Sequence, residues 1–465
     1  MTNSAKEYYH LSSLYAQTGD ADLLISAAKM LKDDYDLSKE NKNFIYRKLL
    51  REHFLRTELQ TKEFYELLFD IYDDIYEAYL ACWGDDLKRI PAGELNNNLV
   101  FIFSSQFLTG KHAPSRIVLD RAYIFQKMMG KRVLIINTAD ILPAFGGIPW
   151  EDDFYANYDE KLCEVDQLEY KDQVFDFFQC PRTMPDAGAM KLLTDLLEKL
   201  RPCLIMSVGA SNLTADICGK LVASACLSTV VEDIQPTRSG YLMLPIMKEG
   251  RQKEYLDIAR SRGIEIIGGR FTYDLHPAKR KYSRGEFGLP EGKKICAVVG
   301  TRLDLEMDEG FLDILKKLAA KDIVTVIVGG YEGYQDLIKD DSDLAAHILN
   351  PGAVLDLPGF FSCIDIYINP RRVGGGTSAA DALNSGVPVV TVRCGDVAAI
   401  SGDEFCVDSY DDIYERVLEL AGDDGYYSQM STIARKKASV LCDGAGEFIR
   451  MITKINKCEA KMCLI

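Results

Sequence analysis

The spacing of apolar residues changes near residue 96. Before that point it is helical. Phe64, Leu68, Ile71, Ile75 and Tyr79 recur at i, i+4, i+7, i+11 and i+15 and so share one helix face. Asp70, Asp73, Asp74 and Glu77 fill the other faces. Similar stretches predict helices over 5–17, 20–33 and 40–58. No 34-residue period links them, so residues 1–95 read as a helical extension, a cap packed on the body or else an acceptor- or partner-binding module, and not as an array of helical repeats.

From residue 96 the apolar residues come in short continuous runs. Runs at 99–103, 133–136, 203–206, 228–231 and 264–267 each suit a strand buried on both faces of a parallel sheet. Helices near 114–129 and from residue 212 lie between them. Residues 141–187 are irregular, with Pro143, Gly146, Gly147, Pro149, Trp150 and Pro185, and long loops inside such domains often carry function. Residues 272–294 are rich in Lys, Arg, Gly and Pro and read as a linker. The series then restarts with strands at 295–299, 324–328, 364–368 and 388–392, and three helices between about 409 and 457 close the chain. Strands alternating with helices predict doubly wound parallel sheets. The expected organisation is a helical extension (1–95), a first Rossmann-like domain (96–280), a second (281–445), and a terminal helix (446–465) that crosses back to the first.

Composition narrows the functional classes. Of 465 residues, 47% are hydrophobic and 27% charged, which excludes a largely disordered chain. The net charge of −16 argues against duplex nucleic acid or an anionic membrane as the main partner, since both need a basic footprint. A local basic pocket for one small anion is compatible with it. No apolar run approaches the roughly 20 residues of a membrane span, and the first residues lack a basic-then-apolar signal. The 13 cysteines are scattered without a Cys-x-x-Cys pair, which predicts reduced thiols and a cytoplasmic protein. Cys463 is third from the end, one place off a prenylation position. Five histidines without metal-ligand spacing predict no structural zinc.

The most informative segment is 369–390. It reads strand, glycine loop, helix, glycine stop, strand. Gly374, Gly375 and Gly376 let the backbone turn sharply and approach a ligand. Thr377 and Ser378 open a helix whose free N–H groups and dipole suit a phosphate. Asp381 lies one turn into that helix, placed to accept hydrogen bonds from ribose hydroxyls. Arg302, after a strand end, is the first choice for a pyrophosphate, which arginine grips with two parallel hydrogen bonds. Arg371 and Arg372 precede the loop, one facing ligand and the other solvent. Arg371 is the candidate ligand, although the sequence does not decide between them. No Asp-x-Asp sits in a strand-end loop to hold a metal.

The first α/β domain offers fewer groups. His112 follows the first strand and opens a helix with Pro114 in its first turn. It is a candidate general base or diphosphate ligand, or else a helix cap. Lys111 would steer an anionic donor. Ser211 and Asn212 follow another strand and either face the substrate or cap the next helix. Glu232 and Asp233 are weaker candidates.

Segment 364–392 resembles the donor-site signature of GT-B nucleotide-sugar glycosyltransferases. Matches at 298–303, 327–330, 357–360 and 282–290 add Gly300, Gly330, Gly359 and Phe360 to the residues this resemblance implies for donor binding. It covers the C-terminal α/β half well and the first loosely. Retaining members usually carry two glutamates separated by seven residues. Here Asp381 stands at the second position and Val373 at the first. An aspartate alone after such a loop is similar to the O-linked N-acetylglucosamine transferase family, as is the helical extension in outline. The resemblance implies two Rossmann-like domains facing a cleft. It also implies a metal-independent transfer of sugar from a nucleotide-sugar, a UDP-sugar, to a protein or glycan acceptor, with no further cofactor. The second domain would hold the donor and the first the acceptor. The N-terminal helices would bind acceptor, a partner or a second copy. A nucleotide-sugar epimerase and a non-catalytic GT-B-like subunit are the alternatives.

Overall fold

The computed structural model describes residues 3–108, 112–141, 158–209, 211–231, 234–246 and 252–462. The chain divides into two compact units. The first comprises Met1–Thr229, Asp233–Gly269 and Phe448–Ile465, and the second comprises Val230–Glu232 and Arg270–Glu447.

The first unit opens with helices Asn3–Thr18, Ala21–Asp33, Lys39–Leu55 and Lys62–Leu80. Side chains start the last three: Asp20, Ser38 and Thr61 accept the N–H groups of Asp22, Asn41 and Phe64. The predicted stripe of Lys62–Leu80 is buried, joined by Tyr65, Phe69, Tyr72 and Tyr76. Helix Lys39–Leu55 behaves differently. Its pattern is not amphipathic, and it buries Lys42, Asn43, Arg47, Lys48, Glu52 and His53 beside its apolar residues.

Eight strands follow: β1 Asn96–Ser104, β2 Arg132–Asn137, β3 Gln167–Tyr170, β4 Gln173–Gln179, β5 Pro202–Val208, β6 Ser224–Leu227, β7 Tyr241–Pro245 and β8 Glu265–Gly269. They form one sheet in the order β3-β4-β2-β1-β5-β6-β7-β8, parallel except for β3 against β4. Phe101, Phe103, Ile136 and Ile205 share one core with Tyr46, Leu68 and Ile75 of the helical extension. The extension is therefore a layer on this sheet.

Three expectations shift. The strand expected at 228–231 is β6, at Ser224–Leu227. Its small side chains fit a position buried on both faces, while the valines after it leave the sheet. The interval 141–187 contains the hairpin β3–β4, an edge pair that the polar alternation of Gln167–Gln179 concealed. Its Pro143–Trp150 portion lies outside the described residues. The strand β7 had no sequence-based counterpart.

The second unit holds β9 Ile295–Val299, β10 Val324–Val328, β11 Ile348–Gly352, β12 Ile366–Asn369, β13 Val389–Val392 and β14 Cys406–Val407. They form a parallel sheet in the order β11-β10-β9-β12-β13-β14. Helices Glu309–Ala319, Gly376–Ser385, Tyr410–Gly422 and Asp424–Leu441 bury their apolar faces in the same core. The last helix, Gly444–Met462, begins in the second unit and belongs to the first from Phe448 onward. There Phe448 meets Phe125 edge to face, centroids 5.1 Å apart, and Glu459 binds Arg89 and Tyr241.

Among the parallel strands the order reverses once in each sheet, between β1 and β5 and between β9 and β12. In open α/β sheets, ligands bind beyond the carboxyl ends of strands at such reversal points. Among the described residues no helix is long and apolar enough to cross a membrane.

Candidate functional site

At the second reversal point, β9 leads into Gly300-Thr301-Arg302 and β12 into the glycine loop. The two strand ends are braced by Arg372. Its Nε donates to Asn369 Oδ1 (2.7 Å) and its Nη1 to Glu306 Oε2 (2.7 Å). Its Nη2 donates to Val299 O and Tyr367 Oη, both at 2.9 Å. The residue is 5% exposed. A methyl group at Gly375 or Gly300 would stand 2.6 Å from this guanidinium. Arg372 thus explains two of the glycines, and Gly375 also holds φ +96, where side chains are strained. Gly374 is buried beside it.

A hydrogen-bond chain continues from Arg372. Tyr367 Oη lies 3.1 Å from Ser378 Oγ, and Ser378 Oγ donates to Gly375 O at 3.0 Å. Ser378 therefore locks the loop from inside and does not offer its hydroxyl to a phosphate. Above this lock, helix Gly376–Ser385 starts at Gly375 with no side chain capping it. Its first N–H groups, with Gly376 and Thr377 at the tip, are the kind of donors that take an anion. Asp381 is half-buried one turn further on. Tyr273 Oη would stand 2.5 Å from a methyl group at Gly376. Burial, helped by the Asp396 carboxylate, pushes this phenol well above its ordinary pKa, so it stays neutral.

Arg302 pairs with Glu306 Oε1 at 3.0 Å, with its side chain 38% exposed. Glu306 thus bridges Arg302 and Arg372, and the trio carries one positive charge in excess. Arg371 is exposed, and its N–H donates to Tyr410 Oη at 3.0 Å. Of the two adjacent arginines, one is a buried brace and the other a surface residue.

Two predicted donor residues serve packing. Gly359 lies where a side chain would collide with the Tyr282 ring, whose hydroxyl binds Asp356 at 2.8 Å. Phe360 is fully buried against Phe287 and Phe361. Neither presents a group at the reversal point. Gly330 is exposed with open space around it, whereas its neighbour Gly329 allows no side chain because one would collide with Gly300 O.

In the first unit, His112 precedes helix Ala113–Tyr123 without capping it through its side chain. Its Nδ1 lies 2.9 Å from Ser115 Oγ, which accepts the Leu108 N–H at 2.9 Å. Ser115 is fully buried, so its hydroxyl ties the His112 ring to the turn before the helix. This contact holds the ring through Nδ1. Burial lowers the His112 pKa and favours the neutral imidazole.

Ser211 and Asn212 are buried, and their side chains are spent on structure. Ser211 Oγ donates to Pro236 O (2.9 Å), and Asn212 Oδ1 caps helix Leu213–Cys218 through the Ala215 N–H (2.9 Å). Lys111, Glu232 and Asp233 lie outside the described residues. Among the described residues, no group of three or more His, Cys, Asp or Glu side chains could hold a metal ion.

Residues 298–423 match the family model for glycosyl transferases group 1. No curated protein matches the sequence significantly. Among solved structures, the chain is similar to an O-GlcNAc transferase mutant from Thermobaculum terrenum. That likeness has a TM-score of 0.52 and 14% identity, and covers 98% of this chain and 97% of that one. It is also similar to TarM, with a TM-score of 0.53 and 10% identity over 78% of this chain and 99% of that one. A glycosyltransferase from Rickettsia africae gives a TM-score of 0.51 and 11% identity, over 79% of this chain and 99% of that one. The chain has a GT-B glycosyltransferase fold.

Within this GT-B chain, sequence reasoning missed Glu306, Tyr367 and Asp140. Glu306 lies one helical turn after Arg302, a spacing that signals an ion pair. Tyr367 sits inside a strand with nothing in its pattern to mark it. Asp140 is fully buried after β2, accepting the Thr214 N–H and Oγ1–H, each at 2.8 Å. Burial pushes its carboxyl up to about 6.

Proposed function

We propose that this protein transfers a sugar from a nucleotide-sugar, a UDP-sugar, to a protein or glycan acceptor without a metal ion or further cofactor. The observation that carries the reading is the uncapped start of helix Gly376–Ser385, set across the strand-order reversal from Arg302. A diphosphate there accepts hydrogen bonds from the N–H groups of the first turn and charge from Arg302. Asp381 accepts the ribose hydroxyls. As the bond from the anomeric carbon to the diphosphate oxygen breaks, negative charge grows on the leaving group. The fixed dipole and the guanidinium stabilise that charge most, which lowers the barrier. The acceptor oxygen forms the new bond to the anomeric carbon, and its proton passes to the departing diphosphate oxygen, which has gained the electron pair of the broken bond.

His112 fits the role of a neutral hydrogen-bonding partner of bound substrate better than that of base. Its Nδ1 is held by Ser115 Oγ. Taking a further proton would also charge a partly buried ring.

A thermal-shift panel of UDP-, GDP-, ADP- and dTDP-sugars tests the donor class. The UDP-sugars should raise the melting temperature most. UDP should then accumulate from the best binder only when an acceptor is added. An epimerised donor formed without any acceptor would contradict transfer, and the absence of a shift with every nucleotide-sugar would contradict the donor site.

A further inference from the structure

The turn after β5 is held in an uncommon shape. Ser211 has φ +53, the left-handed region that a serine enters only under constraint. Its surroundings supply that constraint. The Ser211 N–H and Oγ–H both donate to Pro236 O, at 2.8 and 2.9 Å. The remaining two bonds come from helix Lys39–Leu55 of the N-terminal extension. Tyr46 Oη reaches Ser211 Oγ at 2.9 Å, and because that oxygen already donates to Pro236, Tyr46 is the donor. Arg47 Nη2 donates to Ser211 O at 2.5 Å. Every polar group of Ser211 is thereby engaged, half of them by two adjacent residues far earlier in the chain.

The turn leads on to the neighbouring strand ends. Asn212 Nδ2 donates to Thr138 Oγ1 (3.1 Å), and Thr138 Oγ1 donates to Ser104 O (3.1 Å). Ala139, next to Thr138, is also left-handed at φ +54 and buried. So the ends of β5, β2 and β1 are tied in series, and β1 leads to His112. This is the strand-order reversal of the first sheet. Arg47 is 4% exposed and its Nε has no hydrogen-bond partner among the described residues. A buried cation with an unspent donor adds little to packing alone, since an apolar side chain would fill the space without desolvating a charge.

We infer that Tyr46 and Arg47 are positioning residues for sugar transfer, fixing through Ser211 the strand-end turn at which the first unit receives its acceptor. The inference rests on the proposed transfer reaction. It gives the helical extension a part in the site, distinct from acceptor capture on its surface.

Three measurements on the full chain test it, using Arg47→Met, Arg47→Lys and Tyr46→Phe. First, amide hydrogen exchange of the peptide around 204–216 should speed up at least tenfold in Arg47→Met, with Arg47→Lys in between. Second, UDP affinity by calorimetry should not change, because the groups assigned to UDP all lie in the second unit. Third, UDP release from the best-binding UDP-sugar, with the acceptor that supports wild-type turnover, should fall at least tenfold in kcat for Arg47→Met. The KM for the UDP-sugar should stay constant and Arg47→Lys should restore part of the rate. Wild-type exchange and turnover in a folded Arg47→Met variant would overturn the inference. Equal loss in the Met and Lys variants, together with lost UDP affinity, would overturn it too, by revealing general unfolding. If the wild-type chain neither binds UDP nor releases it, the transfer reading fails instead, and the exchange result alone decides whether Arg47 holds the turn.

Discussion

Arg371 and Arg372 stand side by side in the chain, yet only Arg372 enters the interior. The sequence marks the glycine loop clearly because glycine and helix-start residues have local causes. It does not mark which arginine turns inward, since that depends on Glu306, Asn369 and Tyr367 converging from three other places. Replacing Arg372 with Ala leaves the buried side of Glu306 and the Val299 carbonyl without their donor. A broken buried ion pair typically costs about 3–5 kcal/mol, and urea unfolding of Arg372→Ala should register a loss of that order. Asp140 offers a separate check. Its carboxyl rises from 3.8 to about 6 by burial, so the folded state holds its proton more tightly than the unfolded state does. Its contribution is fully present below about pH 4 and is lost as pH climbs through 6. Stability measured from pH 4 to 7 should therefore decline by up to about 3 kcal/mol from this group, and Asp140→Asn should flatten that part of the curve.

Elements were legible where their own residues pay for their burial. Helix Lys62–Leu80 follows from its apolar stripe, and β9, β10, β12 and β13 from their apolar runs. The strand β6 was displaced because Ser224, Ala225 and Cys226 are too small to stand out beside the valines that follow. Helix Lys39–Leu55 conceals its burial entirely, because its buried polar residues are paired by partners such as Asp74 and Ser211 elsewhere in the chain. At the candidate site, the start of helix Gly376–Ser385 depends on backbone shape. Gly375→Ala must strain a residue at φ +96 and press on the Arg372 guanidinium. The left-handed penalty alone is about 1–2 kcal/mol. We expect a lower melting temperature and at least tenfold weaker UDP binding, readable in one thermal-shift titration with UDP.

At the scale of the whole molecule, both strand-order reversals carry segments that stood out in the sequence, and the family match falls on the one rich in glycine. At this scale the helical extension and the first sheet share one core, as a cap on the body requires, but no local pattern encodes which sheet it covers. The charge picture also becomes local. A chain of net charge −16 keeps Arg302 and Arg372 around a single Glu306 beside an uncapped helix start. In the proposed reaction this place binds the diphosphate and ribose of UDP. Titration calorimetry of UDP into the wild-type chain, Asp381→Ala and Arg302→Ala tests it directly. Each replaced side chain supplies charge-assisted hydrogen bonds worth about 1.5–3 kcal/mol, so each variant should bind roughly ten- to a hundredfold more weakly at unchanged melting temperature. UDP affinity equal to wild type in both folded variants would contradict the account.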